Sequence, residues 1–282
     1  MNASEFFLNL DRRWIFLVIG LVVLLPIVRP FDLPGIKPTD QSKNYFDTMN
    51  AVPEGTKILI SADFDPGSKP ELYPMLEATL RHAFKKKLRI VVMTLWLTGI
   101  GMVEKAIKDN VAYAKDHFGV EPQEGKDYVF IGWKTGGSAV VIGMGVNILE
   151  MFSQDNYGKP LAEHPIMAGV KSLKDFKIVV SLSAGTPGFK EWVQYGVQKN
   201  NLTFVGGCTG IIIPEAYPYL QAGQMKGVLG GMKGAAEYEK LLNIPGTATG
   251  GMVALSLAQF MIILLVAACN IIYIASGRWR KP

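Results

Sequence analysis

The chain has 282 residues, a net charge of +5, 49% hydrophobic and 19% charged content, two cysteines and three histidines. Such a length holds one large or two small domains; two cysteines exclude a disulfide framework, and histidines without a second ligand at metal spacing exclude a recognisable zinc site. The positive charge does not imply nucleic acid: Arg12, Arg13, Arg29, Arg278, Arg280 and Lys281 sit at the two ends against Glu5 and Asp11, and the remainder sums to roughly +1.

Residues 1–13 read as a cytoplasmic N-terminus and 14–29 as a first transmembrane helix. Trp14 to Val28, WIFLVIGLVVLLPIV, is uncharged and follows Arg12-Arg13. It ends Pro26-Ile27-Val28-Arg29-Pro30 without the small residues of a signal-peptidase site, so an uncleaved anchor is expected. Residues 30–56 carry Pro30, Pro34, Gly35 and Pro38 among polar residues with no sustained period, the pattern of a stalk or linker.

Residues 57–243 alternate between apolar runs of strand length and segments of helical period. The runs are Lys57–Ala62, Arg89–Leu97, Tyr128–Trp133, Lys177–Ser183 and Leu202–Gly206. Between the first two, Leu72, Leu76, Leu80, Ala83 and Phe84 recur as on one helix face, with Ser68 and Glu71 spaced as a capping box and Lys85-Lys86-Lys87 at the end. Val103, Ile107, Val111, Ala114 and Phe118 mark a second helix stopped by Gly119. Ala139 to Phe152 reads as a buried helix, Thr186-Pro187 as the opening of another, and a last helix follows Pro218. Unbroken apolar strands alternating with helices predict an α/β three-layer sandwich with a mainly parallel sheet of about five strands. Residues 244–251 are a linker. Residues 252–275, with about 23 uncharged residues from Met252 to Ile274, form a second transmembrane helix long enough for a ~30 Å hydrocarbon core, and 276–282 a basic cytoplasmic tail. The positive-inside rule then puts both termini in the cytoplasm and the central domain outside an inner membrane.

In parallel sheets ligands bind beyond the carboxyl ends of the strands. The turns there contain Lys134-Thr135-Gly136-Gly137-Ser138 and Ser183, Gly185 and Thr186, small polar groups suited to a polar or anionic solute. Asp63 and Asp65 are weak metal candidates, read chiefly as capping aspartates in a solvated turn, since no third carboxylate stands at a suitable spacing. Phosphate-loop, dinucleotide-binding and Gly-x-Ser-x-Gly signatures are absent. The 24-residue connection Ser153 to Phe176 has the length of a lid or binding surface. Residues 172–188 are similar to the start of the second lobe of periplasmic solute-binding receptors, a fragment too short to place the chain in that family.

Gly223, Gly227 and Gly231, spaced by four, would give a helix a smooth face for close packing, on its own sheet or on a partner. Gln259 and Asn270, eleven residues apart, share one face of the second span. Taken together, the sequence leans away from an enzyme. It predicts a non-catalytic, membrane-anchored subunit of a larger envelope complex, displaying its α/β domain for assembly. A membrane-tethered receptor for a small solute is the alternative, and a hydrolase or transferase the third reading. No cofactor is expected. The expected partners are the lipid bilayer and other membrane or envelope proteins, a second copy of the chain among them, and not nucleic acid.

Overall fold

A computed structural model describes residues 11–28 and 37–275. The expected basic tail, the first ten residues and the Pro30–Gly35 part of the stalk lie outside the described residues. Two compact units are present, Ile36–Ala248 and the combination of Met1–Gly35 with Thr249–Pro282.

The larger unit is built on six strands, β1 (Lys57–Asp63), β2 (Arg89–Thr94), β3 (Tyr128–Trp133), β4 (Ile178–Ser183), β5 (Thr203–Cys208) and β6 (Val228–Gly230). They hydrogen-bond in the order β3-β2-β1-β4-β5-β6, every pair parallel. The first five are the apolar runs of the sequence. They read as unbroken because both faces are covered; β1 and β4 are buried at nearly every position. The sixth strand was not expected. It is three residues long and ends in Gly230, too short to show a pattern.

Register neighbours Leu59, Val91, Val129, Val179 and Phe204 form one core with Val140, Val141 and Met144 of α5 (Ser138–Val146) and Phe189, Trp192 and Val193 of α6 (residues 189–200). On the other face α3 (Lys69–Lys85) packs between α4 (Ile100–Phe118) and α8 (Gly231–Leu242), and α8 in turn holds α2 (Asp40–Asn50). A last helix of this unit, α7 (Ile213–Gln221), links β5 to β6.

Several expectations are corrected here. The sequence from Asp40 to Asn50 is not stalk but α2, capped by Thr39 and carrying the fully buried Tyr45 and Met49. Its other residues are polar because it lies at the sheet edge against β6, so few positions face apolar surface. Gly223, Gly227 and Gly231 share no helix face: Gly223 lies in a turn at φ 70°, Gly227 precedes β6, and Gly231 opens α8 at φ 59°. Close packing is nonetheless the reason for Gly227, since a Cβ there would stand 2.2 Å from the backbone N of Tyr45. Asp65, not Ser68, caps the turn before α3, accepting from Ser68 N–H at 3.0 Å. The Thr186-Pro187 peptide is cis, and α6 starts only at Phe189, where Glu191 accepts from the Gly188 N–H at 2.7 Å. The buried helix over 139–152 is broken at Asn147, whose side chain caps the four-residue turn Ile148–Met151.

In the smaller unit, α1 (Arg12–Val28) has 17 residues and reaches about 26 Å, less than a ~30 Å hydrocarbon core. Helix α9 (Thr247–Ala275) has 29 residues. Among the described residues one helix, Thr247–Ile274, is long and apolar enough to cross a membrane, so the expectation of two spans is corrected to one. Within the larger unit, whose last residues Thr247 and Ala248 begin this helix, the Glu239 carboxylate accepts from the N–H groups of Gly246 and Ala248 at 3.0 Å. Beside it Glu77 pairs with Arg81 at 3.6 Å and meets the Thr247 hydroxyl at 3.5 Å. Burial raises the Glu77 pKa against the opposing Arg81 charge, and Glu239 adds to the rise.

Candidate functional site

The strand order reverses between β1 and β4, so the crevice beyond Asp63 and Ser183 is where a doubly wound sheet receives a ligand. Alternation along the strands puts Ser61, Asp63, Ser181 and Ser183 on one face, with Ser61 beside Ser181 and Asp63 beside Ser183. All four are fully buried. The Ser61 hydroxyl donates to both Asp63 carboxylate oxygens at 2.9 and 2.7 Å, and the Leu95 N–H donates to one of them at 2.6 Å. Burial pushes the Asp63 pKa up to about 7 despite the Leu95 and Ser61 bonds; the Trp192 indole beside it lowers it and Glu191 raises it. The Trp192 N–H and Ser181 Oγ are among the buried polar atoms without a hydrogen-bond partner among the described residues. The pair of aspartates therefore splits. Asp63 is a core carboxyl that can hold a proton near neutrality, whereas Asp65 is an exposed cap whose pKa is lowered by its Ser68 bonds. Among the described residues no cluster of three metal-ligating side chains occurs.

The turns expected to form a solute site come together only in part. Gly137 faces Pro187, since a Cβ on it would lie 3.3 Å from that ring, and Gly185 lies against Trp96. Gly136 and Gly137 have φ of 128° and 50°, a backbone path that glycine adopts without strain. The turns are also tied by two indoles. Trp96 Nε1 donates to Pro187 O at 2.8 Å and Trp133 Nε1 to Leu95 O at 3.2 Å. Lys134 does not join this group: its Nζ donates to Met151 O and lies 5.6 Å from the Phe152 ring centroid. With Thr135 it lines an open cleft of about 440 Å³ beside β3. Thr186 instead borders a separate shallow trench with Leu95 and Leu97. Ser138 begins α5. Ser183 Oγ is buried and accepts from Phe189 N–H at 3.2 Å. The Cys208 thiol, one strand over, is pushed up to about 12 by burial first and then by Glu71 and Glu215. Neither nucleophile is presented to solvent.

One feature of the long connection was missed. His164 is buried with its Nε2 2.9 Å from Asp155 Oδ2, and Asp155 Oδ1 accepts from the Tyr157 and Lys159 N–H groups. Gly125, at φ 77°, makes room: a Cβ there would stand 2.6 Å from His164 Nδ1. This pairing folds the connection onto the end of β3, where it forms one wall of the Lys134 cleft. A histidine nine residues from an aspartate within a long loop carries no periodic signal that would reveal it.

No known protein family and no curated protein matches the chain. Among solved structures it is similar to the N-terminal domain of the trehalose-6-phosphate phosphatase of Candida albicans, with 9% identity and a TM-score of 0.34 over 86% of this chain and 44% of that one. It is also similar to a trehalose-6-phosphate synthase, with 8% identity and a TM-score of 0.31 over 86% and 45%. The chain spans less than half the length of either structure, and likeness at this level assigns it no activity.

Proposed function

We propose that the chain is a non-catalytic, membrane-anchored subunit whose α/β domain presents the carboxyl edge of its sheet to a protein partner. The observation that carries this reading is the apolar rim of that edge. Leu97 is 59% exposed after β2, Trp133 37% at the end of β3, and Ile211 88% after β5. Large apolar side chains exposed along one edge, after strands that run from β3 to β5, with neighbouring turns tied to one another, suit a surface held for a partner more than a solute pocket. Helix α9 supplies the anchor in this reading, and the basic residues Arg278, Arg280 and Lys281 that follow it in sequence keep its end in the cytoplasm. Gln259 and Asn270 belong to the same proposal as polar points on the anchor. Asn270 already donates to Val266 O at 2.9 Å within its own helix, which leaves Gln259 the stronger candidate for a contact across helices.

Extraction of the full chain in a mild detergent, followed by light scattering and identification of co-purifying proteins, tests the proposal. A particle larger than one chain is expected. It should fall apart when Leu97→Asp and Ile211→Asp are combined, since both side chains are exposed and the fold does not depend on them. A monodisperse single chain with nothing bound would overturn the reading.

A further inference from the structure

The sixth strand-to-helix turn, absent from the sequence expectation, borders a half-open cavity of about 150 Å³ between the first turns of α2 and α8. Its lining includes Thr39, Ser42, Ile213, Tyr217, Lys233 and Glu237. Glu237 is 1% exposed. One carboxylate oxygen accepts from the Thr39 N–H at 3.1 Å and the Thr39 hydroxyl at 2.7 Å, which fixes its direction. The other, Oε1, has no hydrogen-bond partner among the described residues; Lys233 Nζ stands 3.6 Å away on a side chain that is 62% exposed. A buried carboxylate oxygen without a donor is unfavourable and calls for a hydrogen-bonding guest.

We propose that this cavity binds a small zwitterionic amino acid. The amino group donates to Glu237 Oε1. The carboxylate takes the Lys233 ammonium and the side of the cavity formed by two helix N-termini, where backbone N–H groups and the partial positive charge of the helix favour an anion. Each half of the ligand thus meets the opposite charge, and Lys233 turns from a loose neighbour of Glu237 into a second contact. Ile213 and Tyr217 give an apolar wall for a short side chain. A cavity of this size accepts a guest of about six heavy atoms, the size of benzene, which fits alanine or serine and excludes tryptophan. The site shares no residue with the apolar rim and does not rest on the assembly reading.

Calorimetric titration of the full chain in detergent with L-alanine and L-serine tests it, with methylamine and propionate as separate halves and L-tryptophan as an oversized control. Saturable binding of alanine or serine is expected, at least about tenfold tighter than either half. Glu237→Gln and Lys233→Ala should each weaken it about tenfold or more, and Lys233→Ala, a largely exposed side chain, should still unfold in one cooperative transition. No saturable heat with either amino acid up to about 10 mM would mean that the cavity holds water only, and equal affinity in the Lys233→Ala protein would mean that the amino acid binds elsewhere; either result would overturn the proposal.

Discussion

Two buried titrating residues pull the stability of the domain in opposite directions. The Asp63 pKa rises from 3.8 to about 7 on folding. Between pH ~4 and ~7 the folded chain therefore keeps a proton that the unfolded chain has lost, and stability falls as pH rises through that window, by up to about 4 kcal/mol. His82 is the reverse case: buried, near Lys86 and Lys85, its pKa drops from 6.5 to about 4. Between pH ~4 and ~6.5 the unfolded chain binds a proton that the folded chain refuses, so stability falls as pH is lowered, by up to about 3 kcal/mol. The two trends largely cancel in the native protein. Asp63→Asn, which keeps an oxygen for the Leu95 N–H, should leave a stability that climbs from pH 4.5 to 6.5. His82→Gln, which keeps a partner for the Tyr238 hydroxyl at 2.7 Å, should leave one that declines. Urea unfolding of the full chain across this range reads both slopes; profiles that follow the native one at a constant offset would show that neither group titrates as described. The burial of Asp63 was legible in one respect. It is in phase with Leu59 and Ser61 along β1, so strand alternation alone puts it on a covered face, whereas adjacency to Asp65 suggested a solvated turn for both.

Glycines show how an element's neighbours decide what a residue means. At Gly227 an added Cβ would meet the Tyr45 N at 2.2 Å and the Tyr45 Cα at 2.6 Å. Both are backbone atoms that cannot turn aside, so Gly227→Ala must push α2 off β6 and should cost about 3 kcal/mol or more. Gly101, exposed in the first turn of α4, has nothing within 4 Å of that position. Gly101→Ala should instead stabilise by a few tenths to about 1 kcal/mol. Thermal or urea unfolding of the two variants should therefore give shifts of opposite sign, and a mild effect at Gly227 would contradict the packing of α2. The same contrast explains what the sequence could not convey. A spacing of four among Gly223, Gly227 and Gly231 has the period of a helix, yet each glycine answers a different local demand. The five longer strands were legible because burial on both faces leaves a continuous apolar run. Strand β6 and helix α2 were not, because one has three residues and the other touches the core along a narrow stripe. The cavity between them was hidden for the same reason, and the other turns were located without any sign of how Trp96 and Trp133 fasten them.

At the scale of the molecule, the question is which side of a membrane the domain occupies. Helix α9 exposes Phe260, Ile263, Val266 and Ile271 and carries no charged residue along its length. Twenty-nine residues reach about 43 Å, enough to cross the ~30 Å hydrocarbon core with a turn or two to spare. Arg278, Arg280 and Lys281 follow within a few residues, and positive charge this close to a span resists translocation. The domain precedes the helix in the chain, so the proposed reading, in which α9 spans and the tail is cytoplasmic, predicts that Ile36–Ala248 is reached from the outer side. Cysteine labelling decides this with little background. Cys208 is buried with its thiol pKa pushed up to about 12, and Cys269, exposed on α9, is removed by Cys269→Ser. In intact cells a membrane-impermeant maleimide should label Lys108→Cys, an exposed position on α4, and should reach Lys281→Cys only after permeabilisation. Labelling of Lys281→Cys alone would reverse the orientation. Equal labelling of both in intact cells would mean that α9 lies along the membrane surface, and the anchor would then hold the domain by its apolar face without a crossing.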